Sequence, residues 1–141
     1  MREEGRQPGR VLAIDHGTRR VGLALSDPMR ITATALQVVA LPEAVNRIRE
    51  IVVQHEVKEI VVGLPVTLAG REGAAAAQVR EFAAQLAEVV ELPISFIDER
   101  FTTTTAERAM LEAGAKREVR RQARDKVAAS VILQSFLDRA R

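Results

Sequence analysis

Three acidic residues stand where a chain can place chemistry. Asp15 follows directly on Val11-Leu12-Ala13-Ile14, a wholly apolar run of the kind that forms a strand buried on both faces. A carboxylate at the end of a central strand sits where open α/β sheets bind ligands. The alternative is a turn aspartate that hydrogen-bonds its own backbone. Glu99 lies between the apolar segment Ile94–Ile97 and a helix start at Thr104, with Asp98 and Arg100 on either side. It is either a second strand-end carboxylate or a surface acid paired with Arg100. Asp125 opens a helix face that continues through Ala128, Ala129, Ile132 and Phe136, the spacing of one helical side. That position directs it toward the sheet, unless it is a first-turn acid favoured by the helix dipole.

Acids that converge repel one another, and each raises its neighbours' pKa unless a cation intervenes. Hard oxygen donors suit Mg²⁺ or Mn²⁺, as one ion or two. Two ions about 3.5–4 Å apart can stabilise both the attacking and the leaving oxygen of a phosphodiester. Asp15, Glu99 and Asp125 are therefore the candidate catalytic and metal-binding residues. The basic residues suit the same substrate. Between Lys116 and Lys126 lie Arg117, Arg120, Arg121 and Arg124, against only Glu118 and Asp125. Lys116 and these four arginines, with Arg19, Arg20 and Arg100 beside the acids, are the candidate phosphate contacts. A solvated charged turn is the alternative for the 116–126 stretch. The chain has no Trp or Tyr and four Phe, so a stacking platform for single strands is poorly supplied. Structured or duplex nucleic acid fits better.

The elements that must position these residues follow from the hydrophobic pattern. Val11–Ile14 and Val21–Leu25 are short apolar strands joined by a turn at His16–Arg20, and Ile31–Val39 is a third. Together they predict an antiparallel meander. Pro42 opens a helix carrying Val45, Ile48 and Val52. Glu59–Gly63 is a buried strand ended by Gly63-Leu64-Pro65, and Gly70 and Gly73 belong to a turn. Ala74–Val90 is an alanine-rich helix with Val79, Phe82 and Leu86 on one side. Ile94–Ile97 is the fifth strand. Thr104 and Glu107 match a capping box for a helix ending near Gly114, and a last helix spans about Asp125–Asp138. The order β-β-β-α-β-α-β-α-α predicts one α/β domain with a mixed sheet and helices on both faces.

The 141 residues, 47% hydrophobic and 28% charged, suit a single domain over 1–141 with its first ten residues flexible. No cysteine is present, which excludes disulfides and thiolate metal sites. No apolar run approaches the roughly 20 residues of a bilayer span, and the polar start does not read as a secretory signal. The expectation is a soluble, cytoplasmic protein with no membrane partner. A net charge of +2 argues little about partners; the clustering of the bases argues more.

Four blocks resemble the YqgF/RuvX family: Ala13-Ile14-Asp15-His16-Gly17-Thr18-Arg19-Arg20-Val21-Gly22-Leu23-Ala24, Val61-Val62-Gly63-Leu64-Pro65, Asp98-Glu99-Arg100-Phe101-Thr102-Thr103, and Asp125-Lys126-Val127-Ala128-Ala129 running into Ile132-Leu133-Gln134. They stand in the family's order across nearly the whole chain. The resemblance implies a ribonuclease-H-like fold, with three antiparallel and then two parallel strands, related to Holliday-junction resolvases. Members are described as candidate pre-16S ribosomal RNA nucleases, some as junction resolvases. The family's acids map onto Asp15, Glu99 and Asp125. His16 replaces a usual tyrosine, Thr67 and Ala69 replace a usual Asn and Asp, and arginine replaces lysine before the last acid. The implied activity is metal-dependent cleavage of structured RNA or branched DNA, with a homodimer if junctions are cut symmetrically. Two other readings stay open: a non-catalytic nucleic-acid-binding module of the same fold, and an actin-like ATPase fragment suggested by Asp15-His16-Gly17-Thr18.

Overall fold

A computed structural model describes residues 7–101 and 117–140, with side chains for 7–100 and 127–140. Five strands form one mixed sheet: β1 (Arg10–His16), β2 (Arg20–Ser26), β3 (Ala33–Ala40), β4 (Val57–Leu64) and β5 (Ile94–Asp98), in the order β3-β2-β1-β4-β5. β1 pairs antiparallel with β2, and β2 with β3. β4 lies parallel to β1, and β5 parallel to β4. The expected meander and the two later parallel strands are therefore present. Among the described residues, three helices pack on the sheet: α1 (Ala44–Gln54), α2 (Ala74–Ala87) and α3 (Arg117–Ala140). Leu41–Glu43, with Pro42, is a 3₁₀ turn leading into α1.

Strand alternation divides the core in two. On β1, Leu12 and Ile14 face α1 and α2 and pack with Ile48, Ile51, Val79, Phe82 and Leu86. Val11 and Ala13 face the other way, onto Ala129, Ile132, Leu133 and Leu137 of α3. Each fully buried Leu or Ile contributes roughly 1.5–3 kcal/mol through removal of apolar surface from water. α3 lies across β1, β2 and β3 and reaches β4.

Several boundaries differ from the sequence pattern. β3 starts at Ala33 rather than Ile31 because Asp27 takes the backbone before it. The Asp27 carboxylate accepts from the N–H of Ile31 and of Thr32, both at 2.7 Å, and from that of Met29 at 3.2 Å. Arg30, at φ 60°, closes the turn by donating to the carbonyls of Gly9 and Pro8 and to Glu59. The sheet consequently begins inside the 1–10 stretch expected to be flexible: Arg10 opens β1, and the Gly9 N–H bonds the Pro28 carbonyl at 2.9 Å.

The last helix is longer than expected. It opens at Arg117, not near Asp125, so Arg117–Arg124 is helical and not a charged turn. Arg, Glu, Gln and Ala are good helix formers, and neither Gly nor Pro interrupts 117–125. Lys116 and the helix expected from Thr104 to Gly114 lie outside the described residues.

Candidate active site

Asp15 is the sixth residue of β1, one short of the strand's end. Alternation places it on the face of Val11 and Ala13, toward α3. Gly22 of β2 is its register partner. On the other side runs β4, where Val62 pairs with Ile14, so Gly63 is level with Asp15. Glu99 opens a 3₁₀ turn, Glu99–Phe101, immediately after β5. The two acids are 84 positions apart in sequence, yet their carboxyl groups share a hydrogen bond. Glu99 is pushed up to about 8 by burial first, then by the Asp15 charge and that hydrogen bond, with a further push from Asp98.

Asp98, the neighbouring acid, has the opposite fate. Its carboxylate accepts from the Arg100 backbone N–H at 2.9 Å and from Arg100 Nε at 2.8 Å, and these bonds hold its pKa below the usual carboxylate range. Arg100 is thus a partner of Asp98, while burial and Asp15 dominate the surroundings of Glu99.

Asp125 lies in α3, two turns before Ile132, whose δ-methyl reaches Gly63. Its side chain lies outside the described residues, as do those of Arg117, Arg120, Arg121 and Arg124. Arg19 is exposed in the β1–β2 turn. Arg20 opens β2 at the same end of the sheet and shares the face of Gly22 and Ala24, toward α3. His16 does not join the site. Alternation turns it to the opposite face, where its ring lies 4.9 Å from that of Phe82, and burial lowers its pKa.

A groove of 330 Å³ opens beside Glu99, walled by Pro65, Val66, Thr67, Leu68 and Arg100. Thr67 closes its own loop: its hydroxyl accepts from the Arg71 N–H at 3.1 Å, and its carbonyl from the Gly70 N–H at 2.8 Å. Gly70, at φ 83°, makes the turn expected of it. Leu68 stands 95% exposed at the tip. Gly63 is the site residue the sequence pattern passed over. It reads as the glycine that ends a strand, whereas a glycine within a strand can also mark close approach of another group. Here that group is the Glu99 carboxylate.

Among the described residues no group of three His, Cys, Asp or Glu side chains is placed to hold a metal. Two are placed together, and their chemistry suits a cation. Both offer hard oxygen donors, and the Asp15 charge beside Glu99, second to burial in raising its pKa, is repulsion that a bound cation would relieve.

This sheet order, with helices on both faces and two acids meeting across β4, defines a ribonuclease-H-like domain. T. thermophilus RuvC, solved in complex with a Holliday junction substrate, has the same fold at a TM-score of 0.56 and 14% identity, covering 93% of this chain and 96% of that one. The family model for RuvX, described as a Holliday junction resolvase, matches residues 9–139, and the chain belongs to that family. A relative from Roseiflexus sp. (strain RS-1) is 46% identical over 138 residues, 96% of this chain and 98% of its own. Another, from Pelotomaculum thermopropionicum, is 49% identical over 133 residues, 92% of this chain and 86% of its own. Both are named as candidate pre-16S rRNA nucleases. Among the described residues, no helix is long and apolar enough to cross a membrane.

Proposed function

We propose that this protein is a divalent-metal-dependent nuclease that hydrolyses phosphodiester bonds in structured nucleic acid, with pre-16S rRNA and four-way DNA junctions as the substrates to test. The observation that carries the proposal is the hydrogen-bonded Asp15–Glu99 pair, drawn together across β4 from β1 and from the turn after β5, with Glu99 pushed up to about 8. Asp15, Glu99 and Asp125 are its metal-binding and catalytic residues. Mg²⁺ or Mn²⁺ held there supplies charge for the attacking and leaving oxygens. The chain's own part is to hold Asp15 on a rigid central strand and to keep Glu99 against it. Arg19 and Arg20 at the same sheet end, with the arginines of α3, fix the phosphate backbone. The relatives' names point to ribosomal RNA and the family's description to junctions. Processing of pre-ribosomal RNA would be a cytoplasmic task, and symmetric junction cutting would call for a two-fold dimer.

The test is cleavage of four-way DNA junctions, single-stranded DNA and precursor ribosomal RNA by the purified chain with Mg²⁺ or Mn²⁺. Wild type cuts at least one structured substrate, and EDTA or Asp15→Asn abolishes cutting. Cutting that survives both removes the metal-dependent reading. Binding without cutting by wild type identifies a non-catalytic module instead.

A further inference from the structure

Asp15 and Glu99 belong to β1 and to the turn after β5, and β4 runs between those strands. Two inter-strand spacings of about 4.8 Å keep their backbones nearly 10 Å apart. Their carboxyl groups nevertheless share a hydrogen bond. The two side chains therefore meet above β4, and the β4 residue at that level is Gly63, which follows the partner of Ile14 and pairs with Ile97. A Cβ at position 63 would overlap Glu99 Oε1 and lie 3.0 Å from Glu99 Cδ and 2.6 Å from Ile132 Cδ1. Gly63 is not among the positive-φ glycines, so its backbone does not need glycine. Glycine inside a strand costs roughly 0.5–1 kcal/mol relative to alanine. What the position needs is space.

We propose that Gly63 is a positioning residue of the active site: its absent side chain is the slot in which the Glu99 carboxylate lies, closed against Asp15 on one side and against Ile132 of α3 on another. The inference rests on the nuclease reading of the acid pair. It assigns Gly63 to function rather than to strand termination. It also couples the packing of α3, which carries Asp125, to the placement of Glu99.

Three variants test it: Gly63→Ala, Gly63→Ala/Ile132→Val, in which the shortened side chain relieves the helix contact, and Ile132→Val as the packing reference. Mn²⁺ is titrated calorimetrically into each free protein, and cleavage is measured in parallel. Both variants carrying Gly63→Ala are expected to bind Mn²⁺ at least about 10-fold more weakly. Their kcat falls by a similar factor, with KM for the nucleic acid within about twofold. Ile132→Val binds Mn²⁺ as wild type does. Adding Glu99→Asp, which withdraws the carboxylate by one methylene, recovers part of the Mn²⁺ affinity in the Gly63→Ala background while lowering it in the wild-type background. Thermal unfolding supplies a second reading: Gly63→Ala lowers Tm less in a Glu99→Ala background, where the slot is empty. Wild-type Mn²⁺ affinity and kcat in Gly63→Ala/Ile132→Val overturn the proposal. So does a Gly63→Ala change that unfolds the chain equally with and without Glu99. If Glu99→Gln cleaves at the wild-type rate, it is the reading of the acid pair that fails.

Discussion

Asp98 and Arg100 are joined by a 2.6 Å salt bridge that spans the residue between them, Glu99. The clasp also includes the Arg100 backbone N–H, so it fixes the start of the 3₁₀ turn as well as one side chain. Two successive acids are thereby sorted into different work. Asp98 satisfies its charge locally, while Glu99 is left to Asp15.

Removing the clasp loosens the turn that carries Glu99. Asp98→Ala is expected to cost about 1 kcal/mol, as loss of a capping side chain does. That corresponds to a Tm lower by a few degrees. Cleavage falls further than stability explains, by about 10-fold in kcat, because a small displacement of a ligand group is costly. Asp98→Asn keeps an acceptor for the Arg100 N–H and recovers part of both. Melting curves and single-turnover cleavage on the same preparations check this; equal losses in both variants would show that charge alone matters.

The Glu99 pKa has a consequence for metal-free protein. The unfolded chain releases that proton near 4.5 and the folded chain near 8. Below pH 4.5 both states hold it. Between the two values the folded state binds more protons, so stability falls as pH rises and the loss is complete above about 8. The size is on the order of 5 kcal/mol, or about 15 °C in Tm. His16 works in the opposite sense, because its lowered pKa makes stability rise with pH below its ordinary 6.5. The difference between wild type and Glu99→Gln isolates the acid. In EDTA, Glu99→Gln is expected to melt above wild type at pH 8 and to match it near pH 4. Added Mn²⁺ raises Tm in wild type and not in the variant.

The placing of Asp15 was legible in the sequence for a simple reason. A wholly apolar strand followed by Asp15 marks a position that must lie at a sheet's end, whatever surrounds it. Gly63 was not legible in the same way, because its neighbours in space are Glu99 and Ile132, far along the chain. A one-dimensional pattern shows only that an apolar run stops there. His16 shows that adjacency in sequence is not adjacency in space: it follows Asp15, yet the two-residue period of a strand turns its ring to the opposite face, against Phe82. The first turns of α3 escaped because Arg117–Arg124 carries too little apolar periodicity to read as helix. Its charged residues are nonetheless strong helix formers.

At the far end of the sheet, the Asp27 turn is a control for stability without chemistry. Asp27 accepts three backbone N–H groups and its pKa is lowered mainly by the Thr32 N–H. Asp27→Ala is expected to destabilise by about 1–2 kcal/mol through unpaired backbone donors. Cleavage per folded molecule stays unchanged at temperatures where the variant is fully folded. Activity lost in step with Asp98→Ala would instead reveal coupling between the two ends of β1.

The arginines of α3 predict how binding depends on salt. Arg117, Arg120, Arg121 and Arg124 are spaced i, i+3, i+4 and i+7, which places them along one stripe of the helix. Asp125 adjoins that stripe, so a phosphate backbone following the arginines would pass the last acid. Each phosphate neutralised on a duplex contributes about 0.9 to the slope of log K against log salt. Replacing Arg120 and Arg121 by Gln is expected to weaken binding and reduce that slope by between about one and two. kcat at saturating substrate stays within about twofold, because these side chains position the backbone rather than hold the reacting phosphate. Binding measured between 50 and 200 mM salt, on substrate trapped uncut in EDTA, reads the slope directly. An unchanged slope with a lowered kcat would move the arginines from backbone contact into the reaction centre.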